Sequence, residues 1–253
     1  SVLLSRAVAT RSRKRESSRD DIPIARRSRS SQPKRGGGLA LLLACGVVFS
    51  LSLATLLFLP ELLPFGSKPE VVAGIDEQPG RDGRLLGHFP YPEAIVDQLV
   101  PVEAGIKLHR DAAMSLDAMR RAAAADGVDL RLLSGYRSQR LQKSIFFDVK
   151  SERNQTAAER AQVSAPPGYS EHSTGYAVDL GDGADPATNL SASFEQTSAF
   201  SWLQDHAASY HFTLSFPAVN SQGVSYEPWH WRFEGSADAL RRFEPARRLA
   251  NGG

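Results

Sequence analysis

The chain of 253 residues is 42% hydrophobic and 23% charged, which suits one domain of ordinary size with additional segments at its ends. Because these proportions provide enough apolar residues for a core, a wholly disordered or collagen-like chain is excluded. The single cysteine, Cys45, excludes both an intramolecular disulfide and a four-thiolate zinc site. Histidines and carboxylates must therefore hold any metal.

The charges are unevenly distributed along the chain. Residues 1–38 contain 11 Lys and Arg against 3 Asp and Glu, a net charge of +8, whereas the remaining 215 residues carry 19 against 25, a net charge of −6. The basic residues lie among Ser and Gly with few apolar side chains, which predicts a disordered arm. Because the rest of the chain is acidic, we expect no nucleic-acid partner.

An apolar segment follows this arm. Residues 39–59 comprise 21 residues without a charge. As a helix rising about 1.5 Å per residue, they extend about 32 Å, enough to cross a hydrocarbon core of roughly 30 Å. The segment predicts a single transmembrane helix. The positive-inside rule then puts the arm in the cytoplasm and the rest of the chain on the periplasmic or extracellular side.

Two other interpretations of this apolar segment fit less well. A cleaved signal peptide has an apolar region of roughly 7–15 residues that ends in small residues, whereas this segment ends in Leu-Leu-Phe-Leu. A lipoprotein signal would use Cys45, but 14 further uncharged residues follow it where a polar tether is expected. We therefore expect an uncleaved membrane anchor.

Beyond the anchor, residues 60–87 are rich in Pro and Gly without sustained periodicity, which predicts a tether. Periodic segments resume in 88–253, which we assign to one folded domain. Helical patterns cover 109–126, 138–150, 198–210 and the chain from 237 onward, and Thr156 with Glu159 forms a capping box for another short helix. Strand patterns cover 128–133, 177–180, 212–216 and 229–233. Because helices and strands do not alternate regularly, we predict an α+β fold, with a small antiparallel sheet flanked by helices.

One stretch that can carry chemistry is Ser-Glu-His-Ser-Thr-Gly-Tyr-Ala-Val-Asp at 170–179. His172 and Asp179 are seven residues apart, so in a flat strand they would point to opposite faces, and Gly175 can supply the turn that brings them together. An imidazole and a carboxylate are suitable zinc ligands. A buried histidine hydrogen-bonded to an aspartate explains this pair equally well.

A second stretch, Tyr-Glu-Pro-Trp-His-Trp-Arg-Phe at 226–233, supplies another histidine and carboxylate. Pro228 excludes a helical metalloprotease motif, so His230 lies on a strand, with Glu227 before or at its start. His230 can then provide a third ligand and Glu227 an adjacent base. Taken alone, Glu227 is better explained as a solvated surface carboxylate.

The combination Ser-x-His-x-x-Gly-x-Ala-x-Asp and Glu-Pro-Trp-His resembles the VanY-type D-alanyl-D-alanine carboxypeptidases. These belong to a wider group of zinc peptidases that includes VanX-type dipeptidases and lysostaphin-like endopeptidases. Ser-Gly-Tyr-Arg-Ser at 134–138, with Gln142 after it, also resembles the substrate-binding segment of that family. The resemblance covers about 90–245 and leaves out the basic arm and the apolar segment.

The resemblance implies a Zn²⁺ site at the sheet with three protein ligands, namely His172, Asp179 and His230. A fourth tetrahedral position is then left for water. By the same resemblance, Glu227 is the general base, and Arg137 binds either the carbonyl oxygen or the terminal carboxylate of the peptide. Gln142 and Ser170 are weaker candidates for substrate contact, and Ser170 could equally brace the loop that carries the first histidine.

The activity implied is a membrane-anchored zinc carboxypeptidase that removes the C-terminal residue of the peptidoglycan stem peptide. The same metal site could serve an L,D-carboxypeptidase or a peptidoglycan endopeptidase, and the motifs do not separate these. A third alternative is a noncatalytic module that retains zinc for structure. Glu227 argues against that module, because a structural site is closed by four protein ligands and needs no adjacent base. The motifs indicate no oligomeric state.

Overall fold

The computed structural model describes residues 71–252. The predicted arm, the predicted transmembrane segment and the first residues of the predicted tether lie outside this range. Within 71–252, every helix is too short or too polar to traverse a bilayer.

The described part of the chain is an α+β domain, as the sequence predicts. Its strands are β1 (Leu99–Glu103), β2 (Ile106–His109), β3 (Leu130–Ser134), β4 (Ala177–Asp182), β5 (Phe212–Leu214) and β6 (His230–Phe233). Its helices are α1 (Arg110–Ala125), α2 (Gln139–Glu152), α3 (Ala157–Ala161), α4 (Ser198–His206) and α5 (Ala237–Ala250). Short 3-10 turns connect them, including one at Glu171–Thr174.

Local signals in the sequence determine where these helices begin and end. The Ser138 hydroxyl accepts a hydrogen bond from the backbone N–H of Leu141 at 3.1 Å and caps α2. Thr156 and Glu159 form the predicted capping box of α3. After α1, Gly127 adopts a left-handed conformation with φ of 79°, which reverses the chain toward β3.

The main sheet has four strands in the order β3-β4-β6-β5, and every neighbouring pair is antiparallel. This confirms the predicted small antiparallel sheet. In the register of β4 and β6, Asp179 lies directly opposite His230. Side chains opposite each other in an antiparallel pair lie on the same face with Cβ atoms about 4.5–5.5 Å apart. Strands β1 and β2 form a separate hairpin that the sequence analysis did not predict.

The two faces of the sheet differ in character. Val178 and Leu180 of β4 and Trp231 of β6 belong to the main hydrophobic core, together with apolar residues of α1, α4 and α5. Because side chains alternate along a strand, Asp179 and His230 lie on the opposite face. The sheet therefore uses one face for packing and presents the other to the candidate site.

Residues 71–87 differ from the expected tether. Ile75 and Leu85 are buried in a second apolar cluster with Phe146 of α2 and Ala161 of α3. The residues that bury them lie far away in the sequence, and the segment itself has no periodic pattern. The sequence therefore does not predict that this Pro- and Gly-rich segment packs against the domain. The folded domain begins earlier in the chain than the predicted boundary at residue 88.

Candidate active site

Three predicted metal ligands come together on the free face of the sheet. The ligand atoms of His172, Asp179 and His230 all lie within 4.8 Å of one another, and all three residues are buried. Nε2 of His172 is 3.3 Å from Oδ2 of Asp179, and Nδ1 of His230 is 3.3 Å from Oδ1 of the same carboxylate. The two imidazoles thus face one carboxylate from either side.

The turn that precedes β4 brings His172 to this cluster. His172 lies in the 3-10 turn Glu171–Thr174, which ends at Gly175 with φ of 74°. A Cβ atom at Gly175 would lie 2.8 Å from the Leu99 side chain and 3.0 Å from the backbone nitrogen of His109. The structure contains the turn that the sequence predicts at Gly175, and it shows that glycine is required here for space as well.

The donor set of this cluster fits zinc. Two imidazoles and one carboxylate are the nitrogen and oxygen ligands that catalytic zinc sites use. Oδ1 of Asp179 is buried, and apart from the 3.3 Å contact with Nδ1 of His230, which lacks hydrogen-bond geometry, no donor in the described part of the chain meets it, so it has a lone pair available for a cation. Burial alone would raise the pKa of Asp179, but the two histidines hold it well below its usual value. Burial lowers the pKa of His172, so this imidazole stays neutral, as a ligand must.

The other nitrogen of each histidine is held by an acceptor behind the cluster. Nδ1 of His172 donates to the Gly135 carbonyl at 2.8 Å, and Nε2 of His230 donates to Oε2 of Glu171 at 3.0 Å. These bonds direct the free nitrogens toward Asp179. Burial opposes the charged form of His230, but its carboxylate neighbours raise its pKa to about 10. The same carboxylates that favour a proton on Nδ1 of His230 would favour a metal cation in its place.

Glu171 is a functional candidate that the sequence analysis missed. Its carboxylate is buried and accepts hydrogen bonds from Ser215 at 2.6 Å, Arg232 at 3.0 Å and Tyr91 at 3.4 Å, besides the bond from His230. Burial raises its pKa, but Arg232 and His230 outweigh burial and keep the carboxyl ionised. The sequence contains one indication of a buried carboxylate near His230. Arg232 lies two residues after His230 on β6, hence on the same face, and needs a partner there.

Glu227 lies beside the cluster, where the predicted base should be. Its Oε2 is 3.7 Å from Nδ1 of His230, and its side chain is 16% exposed. Burial raises the pKa of Glu227 to about 7, with Asp179 and Glu171 adding to the rise and His230 opposing it. A carboxyl group that titrates near neutrality is suited to transferring protons in both directions.

Arg137 lies at the edge of the same cluster. Its guanidinium donates to Oε1 of Gln142 at 2.9 Å and to the Ser134 hydroxyl at 3.3 Å, and Nη2 is 3.9 Å from Oδ2 of Asp179. Gln142 is fully buried, and its amide donates to the Ala165 carbonyl at 2.7 Å. The structure therefore places Gln142 behind Arg137, as a support for its guanidinium.

A cavity of about 380 Å³ opens onto these groups. Its lining includes the three candidate metal ligands. It also includes Glu227, Arg137 and Ser170. Arg153 and Arg160, which the sequence analysis did not single out, line it as well. The backbone carbonyl of Ser170 also accepts a hydrogen bond from the backbone N–H of Ser173 at 3.1 Å within the turn that carries His172.

A zinc-peptidase type of site on this α+β fold agrees with comparisons to known proteins. Residues 105–236 match the family model VanY, described as D-alanyl-D-alanine carboxypeptidase. The chain therefore belongs to the VanY family.

Individual relatives support this membership. The chain is 36% identical over 135 residues to the putative carboxypeptidase YodJ of Bacillus subtilis, covering 52% of this chain and 48% of YodJ. It is 33% identical over 110 residues to the bifunctional D-Ala-D-Ala dipeptidase and carboxypeptidase VanXYC of Enterococcus gallinarum, covering 42% of this chain and 57% of VanXYC. The chain thus spans about half the length of the curated relatives that it matches.

Among solved structures, VanYB in complex with D-alanine-D-alanine is 26% identical to this chain, with a TM-score of 0.50. The match covers 65% of this chain and 88% of the VanYB chain.

Proposed function

We propose that the protein is a zinc D-alanyl-D-alanine carboxypeptidase, anchored in a membrane, that hydrolyses the C-terminal residue of peptidoglycan stem peptides. The observation that carries this proposal is the position of Glu227, a partly buried carboxyl 3.7 Å from a ligand nitrogen of a three-residue metal cluster inside a cavity. A purely structural zinc site is closed by four protein ligands. The family of the chain and the dipeptide bound to the similar VanYB structure support the substrate class.

His172, Asp179 and His230 would hold the zinc ion. When bound, zinc supplies Lewis-acid polarisation of the scissile carbonyl and makes water more acidic. Glu227 takes a proton from the attacking water and delivers it to the leaving amine as the peptide bond breaks. The partly buried position of Glu227 keeps its proton affinity high enough for both transfers.

Arg137 provides positive charge at the side of the cluster where Asp179 lies. As the peptide carbonyl becomes tetrahedral, its oxygen gains negative charge, which a fixed guanidinium stabilises more than it stabilises the neutral carbonyl. The hydrogen bond from Arg137 to buried Gln142 fixes the guanidinium before substrate arrives. Arg137 thus contributes more to the transition state than to binding of the peptide.

The proposed membrane anchor rests on the sequence alone. The 21 uncharged residues at 39–59 follow an arm with a net charge of +8. That order favours a cytoplasmic arm and a folded domain on the periplasmic or extracellular side. Peptidoglycan lies on that side of the membrane, so the proposed location agrees with the proposed substrate.

One experiment tests the proposed activity and distinguishes it from the alternative activities. The full chain, zinc-loaded and in detergent, is incubated with synthetic stem peptides that end in D-Ala-D-Ala, D-Ala-D-lactate or a single D-Ala, and products are identified by mass spectrometry. We expect loss of one D-Ala from the first peptide, and no loss with the Glu227→Gln variant. Cleavage of the single D-Ala peptide alone would favour an L,D-carboxypeptidase, and internal cleavage an endopeptidase. No turnover by the zinc-loaded protein would favour a binding module.

A further inference from the structure

Arg160 is a buried cation that has no counter-charge among residues 71–252. It lies on α3, is 7% exposed and lines the cavity. Within residues 71–252 its guanidinium forms no ion pair and no hydrogen bond, and its Nε is a buried donor without an acceptor. Burying a charge without a partner is costly, so such a group is rare in a folded protein unless a ligand completes it.

Neighbouring groups increase this cost. Burial lowers the pKa of Arg160, and the positive charges of Arg153 and Arg137 lower it further. Arg153 follows the last residue of α2, is exposed and lines the same cavity. In the described part of the chain it forms no ion pair, so this wall carries a second cation, solvated but without a protein partner, beside buried Arg160.

The cavity therefore has two walls of opposite character. The sheet wall carries the metal cluster together with the carboxylates Glu171 and Glu227. The wall formed by α2, α3 and the residues that follow them carries Arg153 and Arg160, with no carboxylate of the described chain within 4.0 Å of either guanidinium. A ligand that spans the cavity would meet the cluster at one end and unpaired arginines at the other.

We propose that Arg160, assisted by Arg153, binds a carboxylate group of the substrate peptide. The inference rests on the proposed function and deepens it by naming the group that the peptide must carry. An unmodified peptide presents its negative charge as carboxylates, and a planar guanidinium can bind a carboxylate through two parallel hydrogen bonds. The carboxylate comes from one of two sources: the C-terminus of the leaving residue, or an acidic side chain on the acyl side of the scissile bond.

A structural role for Arg160 makes a different prediction about stability. If Arg160 stabilised the fold, Arg160→Gln would lower the melting temperature. Because the charge is unpaired, we expect the melting temperature of Arg160→Gln to stay unchanged or to rise, while substrate recognition is lost. Arg121→Gln is the matched control, since Arg121 is exposed on α1, pairs with Asp117 and lies outside the cavity.

Binding is measured by calorimetry on zinc-loaded, full-length Glu227→Gln, in which we expect turnover to be slow enough for binding to be measured, and on Glu227→Gln/Arg160→Gln. Two pairs of peptides are used. In the first pair the C-terminus is free or amidated; in the second the acyl side carries a glutamate or a glutamine side chain. We expect one of these neutralisations to weaken binding about tenfold or more with Arg160 present and less than about twofold without it. The pair that responds identifies the source of the carboxylate, and Arg160→Lys should retain part of the difference.

The inference is overturned if removing Arg160 leaves both neutralisation penalties unchanged, or if no peptide binds. Its failure can be distinguished from failure of the proposed function. Peptides that bind in an Arg160-dependent way but are not hydrolysed by the unmodified protein overturn the carboxypeptidase and leave the carboxylate site standing. Hydrolysis of the peptides with no dependence on Arg160 overturns the carboxylate site and leaves the proposed carboxypeptidase standing.

Discussion

The carboxylate of Glu171 accepts a hydrogen bond from Nε2 of His230 at 3.0 Å, on the side of the imidazole away from Asp179. This bond fixes both the tautomer and the orientation of the ring, so that Nδ1 faces the cluster. Arg232 and Ser215 hold the carboxylate in turn. We therefore expect Glu171 to act as a positioning residue for the proposed metal ligand His230, through this hydrogen bond.

Glu171→Gln tests this relationship. The amide retains an acceptor but loses the charge that strengthens the bond to His230, and loss of such a supporting group typically costs roughly 10–100-fold in metal affinity. We expect the zinc dissociation constant to rise by about that factor, measured by competition with a chelator. Glu234→Gln is the matched control, since Glu234 also pairs with Arg232, at 2.7 Å, but does not contact His230. Equal zinc affinity in Glu171→Gln and the unmodified protein would contradict the assignment.

Separate variants distinguish metal ligands from the base. His172→Ala or His230→Ala removes one of three ligands, so we expect loss of bound zinc together with activity. Glu227→Gln keeps the shape and all three ligands, so it should retain zinc while kcat falls roughly 10²–10⁴-fold. Elemental analysis of purified protein and turnover of a D-Ala-D-Ala peptide give the two readouts. Substantial activity in Glu227→Gln would exclude it as the base.

The pKa of Glu227 predicts how the rate depends on pH. Burial raises this pKa to about 7, and the base must be deprotonated to accept a proton from water. The rate constant kcat/KM should therefore fall as pH decreases below about 7. A bound cation nearby favours the carboxylate, which moves the midpoint further toward acid. Zinc occupancy is measured at each pH, because protons compete for the histidines; a rate that stays constant to pH 4 at full occupancy would contradict the prediction.

The proposed topology predicts the location of the C-terminus. A reporter that is active only outside the cytoplasm, fused after Gly253, should be active, because the uncharged segment 39–59 follows a strongly basic arm. Replacing the arginines and lysines of residues 1–38 with glutamine should reduce the activity of this reporter. If a reporter that works only in the cytoplasm is active when fused at the same position, the proposed anchor is refuted.

The sequence predicts those features of the site that depend on local patterns. The capping pair Thr156 and Glu159 and the turn at Gly175 follow from residue type and spacing, and the structure contains both. The register that places Asp179 opposite His230 depends on pairing across 51 residues, which no local pattern specifies. The family motif supplied that information, because it brings both residues to one site.

Burial explains what the sequence analysis missed. Glu171 and Arg160 are charged residues in polar stretches, where a solvated side chain is the usual outcome. Only the folded structure shows that the first is enclosed by partners, whereas the Nε of the second is buried without an acceptor among residues 71–252. The apolar residues Ile75 and Leu85 were missed for a similar reason, since their partners lie on distant helices.

Arg137 and Arg160 are both arginines of the cavity, and their substitution should have different kinetic consequences. Arg137 lies 3.9 Å from Asp179 at the cluster, where the proposed reaction would develop charge on the carbonyl oxygen. Arg137→Ala should therefore lower kcat by about 10²–10³-fold for peptides with a free and with an amidated C-terminus alike, because the lost interaction is made in the transition state.

The four rates obtained from two proteins and two peptides, with zinc content checked in each protein, test this assignment. The ratio of kcat/KM between free and amidated peptide should be the same in Arg137→Ala as in the unmodified protein. Arg137→Lys should recover part of kcat, since it restores the charge without the planar fork that bonds to Gln142. If Arg137→Ala instead abolishes the preference for the free carboxylate and leaves turnover of the amidated peptide unchanged, then Arg137 binds the terminal carboxylate, and stabilisation of the oxyanion belongs to another group.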